Sequence, residues 1–507
     1  MSSRIVYLIA AIMALTVGYA CWCRAPLIWD GAYQFDWTLE SQYPYAYLTR
    51  FHTLIIWWPT VWASKFTCNV MVLQSIYGLP FLLAPIVGLL VSWWLVKDHC
   101  PAAIIWVVFG VAISTLPGQI FVINDSIFQQ HLFWPLFVSL FVPLTWPKRI
   151  VVAALAIFQF VHPIGVPLLL GGAIAAAGVA IVDRTRRKSL LIGAAIMLAL
   201  CALAVAKIEI TSRIPQWRDT YAEQQATWEN ARTQWRTGVL PVLGGLRWMW
   251  AAAAIAFIEP FIRRRTALAG TALRVIALAC AGYGAVQWCY LVRGAETGEE
   301  VYWTGAIDYR RWIAPIAFPF FAFLAGEFFH NAWRRSKPDA QAPAPAPPAT
   351  QRRSERAPLG ILLASIFALY LGMQCTSWRH DVSRLMMEVN DYPSVVVPLL
   401  DRELEWTWST PLTHWATGNC VVALEGKTPA KVFLDPPTER LFCGEPLPNE
   451  RSSSDPKTGK LDPRCPYYPY APTSPPGSQG WFDFRPLLAK LAKEPPPTRP
   501  RRAENVP

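Results

Sequence analysis

The chain has 507 residues, of which 53% are hydrophobic, 16% are charged and 25 are tryptophan. A soluble chain of that length carries more charge and breaks its apolar residues more often, so the composition excludes an ordinary multidomain soluble protein. The formal net charge of +12 does not mark a nucleic-acid binder either, because the basic residues cluster at the ends of apolar blocks.

About 20 apolar residues cross a hydrocarbon core about 30 Å thick. Eleven such segments are predicted, at 4–22, 69–96, 103–121, 131–146, 149–162, 164–182, 189–207, 245–262, 267–292, 312–333 and 358–376. The first has the outline of a signal peptide, with Arg4 ahead of an apolar run that ends in small residues near Ala20. The later segments make the chain polytopic on either reading. The expected fold class is therefore mainly α: a polytopic transmembrane helical bundle over 1–376, followed by a small C-terminal extramembrane mixed domain within 377–507.

Charge sets the expected orientation. Lys148-Arg149, Arg184 with Arg186, Arg187 and Lys188, Arg263-Arg264-Arg265, and Arg334, Arg335 and Lys337 with Arg352, Arg353 and Arg356 are separated by even numbers of segments. They share one face, which the positive-inside rule makes cytoplasmic. The loops 23–68, 117–130, 208–244 and 293–311 share the outer face, and with a cytoplasmic N-terminus the tail from 377 is also outside, in the periplasm or beyond. The expected location is a bacterial inner (plasma) membrane. Residues 334–357 include the run Ala342-Pro343-Ala344-Pro345-Ala346-Pro347-Pro348, an extended cytoplasmic linker.

In the outer tail, Cys420-Val421-Val422-Ala423-Leu424 and Lys431-Val432-Phe433-Leu434 read as strands. Cys420, Cys443 and Cys465 can form one disulfide in an oxidising compartment, with the odd cysteine left over or reaching Cys375. Prolines dominate beyond 446, and 494–507 has the composition of a disordered end.

The first outer loop carries the densest set of chemical groups: Trp29-Asp30-Gly31-Ala32-Tyr33-Gln34-Phe35-Asp36, then Tyr43-Pro44-Tyr45-Ala46-Tyr47, then Arg50-Phe51-His52. Asp30 follows the first span directly and sits beside Trp29 in the aromatic belt. Poor solvation there raises a carboxylate's pKa, which suits a general base. A turn at Gly31 would bring Asp36 into the same site. Residues 53–62 are apolar and aromatic but broken by Pro59, and they read as a helix lying in the outer interface.

This pattern resembles the GT-C superfamily of membrane glycosyltransferases, which includes protein O-mannosyltransferases, lipid A aminoarabinose transferase and mycobacterial arabinosyltransferases. Those enzymes have an internal N-terminus, eleven or more spans, and a long first outer loop with interfacial helices and an acidic catalytic base near its start. Asp30 matches that position, although Asp30-Gly31 stands where several subfamilies have an Asp-Glu pair. The resemblance implies transfer of a sugar from a polyprenyl-phosphate donor to a glycan, lipid or protein acceptor, by direct displacement with inversion.

Such a donor presents an anionic leaving group, so the site needs cations facing it. Arg50, His52, His162, Arg218, Arg310 and Arg311 are the expected donor-phosphate ligands, since guanidinium forks fit phosphate oxygens. Trp29, Tyr33, Asp125, His131 and Tyr302 are the expected acceptor or sugar contacts. Asp30 and Asp125 also offer hard oxygen ligands for a divalent cation, magnesium, manganese or calcium. His162 precedes Pro163 between adjacent spans and reads equally as a turn residue. Two competing functions fit the same architecture, a lipid or solute transporter (flippase) and a non-enzymatic assembly protein with a partner-binding tail.

Overall fold

The computed structural model describes residues 2–28, 30–44, 51–115, 123, 125–214, 357–392, 396–398, 417–434 and 481–483, with scattered residues over 248–283, 324–328 and 486–493. In chain order its helices are α1 Ser3–Trp22, α2 Asp30–Ser41, α3 Thr53–Ile56, α4 Trp58–Ala63, α5 Val70–Val96, α6 Ile104–Thr115, α7 Asp125–Ser139, α8 Trp146–Ile157, α9 Gly165–Val182, α10 Arg187–Ser212, α11 Ala357–Asp391 and α12 Thr417–Glu425. Two short strands, β1 Val396–Pro398 and β2 Val432–Leu434, pair in parallel with Val396 opposite Val432. The protein is mainly helical, and α1, α5, α9 and α10 are each long and apolar enough to cross a membrane. The predicted segments 245–262 and 312–333 lie almost wholly outside the described residues, whereas in 267–292 residues 268–273, 275–277, 279, 280 and 283 are described and helical.

Two compact units divide the chain: Met1–Ala10 with Pro85–Pro117 and Ser126–Phe367, and Ala11–Ala84 with Gly118–Asp125 and Ala368–Pro507. In the first, small residues let helices approach closely, as lipid-embedded packing requires. Gly110 lies under the Trp134 indole and Gly88 under the His131 carbonyl, so a side chain at either would collide, and Gly172 packs tightly beside Phe133. The turn between α9 and α10 is set by Asp183, whose Oδ1 accepts from Thr185 Oγ1 at 2.6 Å and from the Arg186 backbone N–H at 3.1 Å.

Polar side chains tie the helix ends of this unit together. Lys148 donates to the Leu95 carbonyl at 3.5 Å, pairs with Asp98 at 3.9 Å and lies 5.6 Å from the Trp94 ring centroid. Arg186 donates to the Phe141 carbonyl. Lys207 Nζ donates to the Phe160 carbonyl at 2.6 Å. Gln129 holds the corner after α8: its Nε2 donates to the Gln159 carbonyl at 2.7 Å, and its Oε1 accepts from the His162 backbone N–H at 2.8 Å.

In the second unit α1 ends at Arg24, whose left-handed backbone (φ 61°) turns the chain into a 3-10 turn at Ala25–Leu27. α2 follows, burying Ala32, Phe35, Asp36 and Leu39, a spacing that lines one helical face. α3 and α4 form the interfacial segment, interrupted where Pro59 cannot donate a backbone hydrogen bond. Thr53, Trp57, Thr60 and Val61 are buried there, while Ile55, Trp58 and Trp62 are exposed, the two-faced pattern expected of a helix in the outer interface.

α11 runs on past the predicted end of the last span, and Leu385 and Val389 on it pack with Val421 of α12. Lys431 caps its C-terminus, donating to the carbonyls of Val389 at 3.0 Å, Asn390 at 2.6 Å and Tyr392. A lysine there answers carbonyls that have no partner within the helix.

The structure corrects three sequence expectations here. Residues 420–424, expected as a strand, lie within α12, which ends at Gly426 with φ 87°. Helix α7 begins at Asp125 and ends at Ser139, against an expected span of 131–146. The predicted segment 149–162 is the shorter α8 with a 3-10 turn over Phe158–Phe160.

Candidate functional site

The second unit gathers part of the predicted constellation. Asp36 is wholly buried on α2, flanked by Phe35, whose ring meets Tyr77 of α5 edge-on at 5.3 Å. Trp57 stacks on that same tyrosine at 4.9 Å and lies 6.1 Å from Phe81. Phe81 in turn faces His52 edge-on at 6.0 Å. Gln74, one turn before Tyr77, donates from Nε2 to the Cys21 carbonyl at 2.7 Å and so fixes the start of α5 against the end of α1.

Within this aromatic wall His52 Nε2 lies 2.6 Å from Asp125 Oδ1, with side-chain exposures of 0% and 5%. An ionised carboxylate only accepts, so Nε2 is the donor, and in the neutral ring Nδ1 is then the lone-pair nitrogen. A carboxylate out of water is costly unless it is hydrogen-bonded, and His52 supplies such a bond. His52 sits just before α3, and Asp125 is the first residue of α7, where a carboxylate also faces the positive end of the helix dipole. Two residues read separately in the sequence, one as a phosphate ligand and one as an acceptor contact or metal ligand, are thus partners. Their separation of 73 positions hides this in one sequence.

Asp30 is the first residue of α2, and its side chain lies outside the described residues. The turn expected at Gly31 does not form, because Gly31 lies within α2, pressed against the Pro26 carbonyl and the Ile123 side chain. Six residues of helix separate Asp30 from Asp36 by about 9 Å along the axis and about 120° around it. The two positions therefore lie on different sides of one rod.

Tyr33 is half-buried, its ring edge-on to Trp37 at 6.1 Å. His131 and His162 belong to the first unit. His131, expected at the mouth of a span, lies within α7, and its ring nitrogens are buried with no hydrogen-bond partner among the described residues. At His162 the structure supports the turn reading: its backbone N–H is held by Gln129, and its Nδ1 accepts from the Ile164 backbone N–H at 3.2 Å. Trp29, Arg50, Arg218, Tyr302, Arg310 and Arg311 lie outside the described residues. Among the described residues no three His, Cys, Asp or Glu side chains come together to hold a metal ion.

Sequence reading missed Trp57, Gln74 and Tyr77 as parts of this wall. Trp57 differs from Trp58 and Trp62 in being buried, which the run of tryptophans in the sequence does not show. Compared with protein-family models, curated proteins and solved structures, the chain matches none.

Proposed function

We propose that this protein is a membrane glycosyltransferase of GT-C type, moving a sugar from a polyprenyl-phosphate donor to an acceptor on the outer side of the membrane. The observation that carries the reading is the folded first outer loop. It holds Asp30 at the start of α2, a buried Asp36 on that helix, and a buried His52 that pairs, within the same unit, with Asp125 of α7. In this mechanism Asp30 takes the proton from the acceptor hydroxyl as the anomeric carbon leaves its phosphate oxygen. Cationic side chains of the outer loops, Arg50, Arg310 and Arg311 first among them, answer the charge on the departing lipid phosphate. Asp125 orients the His52 ring.

The eleven-span plan and the outward-facing loops belong to this proposal. Its support is that contacts within each unit join residues which the charge alternation assigns to one face. Lys148 meets Leu95 and Asp98, and Arg186 meets Phe141, at ends assigned to the cytoplasm. His162 meets Gln129, Lys207 meets Phe160, and Tyr19 meets Thr376, at ends assigned to the outside.

A second reading, transport of a lipid or solute, is favoured by the buried polar stripe Ser126, Gln129, Gln130 and His131 on α7. One experiment separates them. The full-length protein, extracted with native lipid into nanodiscs, is analysed by native mass spectrometry and assayed for release of undecaprenyl phosphate from a panel of undecaprenyl-phosphate sugars. The expected result is a bound polyprenyl-phosphate sugar, with Asp30→Asn keeping the lipid and losing release by a factor of about 100 or more. Undiminished release by Asp30→Asn, or no polyprenyl species on the wild-type protein, would overturn the assignment.

A further inference from the structure

Three cysteines gather where the first and last described long helices meet in the second unit. Cys21 and Cys23 stand at the end of α1, and Cys375 stands on α11; Cys23 and Cys375 are buried, and Cys21 is nearly so. Contacts on both sides of these residues fix the two segments together. Tyr19 Oη and Thr376 Oγ1 share a hydrogen bond of 2.7 Å, Trp378 Nε1 donates to the Arg24 carbonyl at 3.1 Å, and the Arg379 guanidinium lies 3.4 Å from the Trp22 ring centroid. Between them the Cys23 and Cys375 thiols are in hydrogen-bonding contact, whereas the Cys21 thiol is engaged by Ser75.

We propose that Cys23 and Cys375 are a disulfide-forming pair that staples the end of α1 to α11 on the outer side of the membrane. The proposal rests on the outward orientation argued above. The tail cysteines considered from the sequence as partners for Cys375 are not needed, since its neighbour is Cys23.

The chemistry is thiol–disulfide exchange with an external disulfide, such as that of a dithiol oxidase in the cell envelope. The Cys23 thiolate attacks one sulfur of the donor and expels the other as a thiolate, giving a mixed disulfide. Cys375 then attacks the Cys23 sulfur and releases the second donor thiol. Two cysteine protons are lost, and two electrons reduce the donor disulfide to a dithiol. Cys23 suits the attacking role because the Cys375 thiol donates to it and the Arg379 charge lies nearby, which together outweigh burial and hold its pKa below the usual thiol range. Exchange takes place as the segments dock, and the burial of both sulfurs then shields the bond.

The staple has a location that matters for the site. Only the left-handed Arg24, the turn Ala25–Leu27 and two further residues separate Cys23 from Asp30. Fixing Cys23 to α11 therefore fixes the root of α2.

The test uses the full-length protein in intact cells, acid-quenched and alkylated before extraction, then digested with trypsin without reductant. The expected product is a linked pair of peptides, 5–24 with Cys21 alkylated and 357–379, two hydrogen masses below the sum of those two peptides with Cys23 and Cys375 as thiols, and separated by dithiothreitol. Cys23→Ser abolishes it and Cys21→Ser preserves it. In parallel, exposed Cys68 is labelled with a membrane-impermeant maleimide to report the side of the first loop. Alkylated Cys23 and Cys375 in cells whose Cys68 is labelled would overturn the disulfide alone. A Cys68 that reacts only after lysis would overturn the outward orientation and the disulfide with it. The sugar-transfer reading is judged separately, on Asp30→Asn.

Discussion

At the scale of single residues, the His52–Asp125 pair is the most consequential arrangement in the second unit. Each side chain alone would be a polar group buried without its partner, and together they satisfy one another at 2.6 Å. Removing one is therefore worse than removing both. His52→Ala takes this hydrogen bond from the buried Asp125 carboxylate and is expected to destabilise the protein by about 3–5 kcal/mol. The double replacement His52→Leu with Asp125→Leu is expected to recover most of that loss. Denaturant or thermal unfolding of the detergent-solubilised protein, set out as a double-mutant cycle, measures the coupling, and a coupling near zero would mean that the two groups do not meet.

The pairing was not legible in the sequence. His52 drew notice through its neighbour Arg50, and Asp125 as a hard oxygen ligand in the second outer loop. Only the fold joins them. The aromatic wall was visible as composition but not as geometry, because the stripe that buries Trp57 and exposes Trp58 and Trp62 depends on where Pro59 breaks the helix.

Among the elements, Gln129 shows how a polar residue is accommodated between apolar helices. Its amide bridges the Gln159 carbonyl and the His162 N–H, both at the non-helical corner between α8 and α9. Replacing it with alanine takes a hydrogen bond from each of them, at about 1–3 kcal/mol for the fully buried Gln159 carbonyl and less for the half-buried His162 N–H. Gln129→Ala is accordingly expected to speed hydrogen exchange locally at the His162 amide, and unchanged exchange there would dissociate Gln129 from the corner. This residue also accounts for the misplaced start of α7. Gln129, Gln130 and His131 look like loop to a hydropathy reading, yet they are buried by neighbouring helices rather than by lipid. Helices α1, α5, α9 and α10 were legible because crossing lipid imposes a long uninterrupted apolar run. The segment 417–425 was not, since two valines favour a strand only until packing against Leu385 and Val389 selects a helix.

For the molecule as a whole, the lipid is the missing neighbour. Helix α10 presents Leu191, Ile192, Ile196, Leu198, Leu203, Val205 and Ile210 outward, an exposure that water would penalise and hydrocarbon would not. Lysine at Leu198, near the middle of α10, is expected to cost about 3 kcal/mol of insertion free energy. A reporter of translocation fused after residue 214 measures this, and an unaltered insertion efficiency would remove α10 from the list of spans.

The docking of α12 on α2, with the Phe482 backbone N–H donating to Glu40 Oε2 at 3.3 Å, sets an order of events in time as well as in space. Ribosomes deliver α2 among the first segments and α12 and Phe482 among the last, so the helix bearing Asp36 waits through most of translation for its cover. A nascent chain halted before residue 417 therefore carries α2 without the helix that packs on it, so one of the first-made helices of this unit is covered by one of the last.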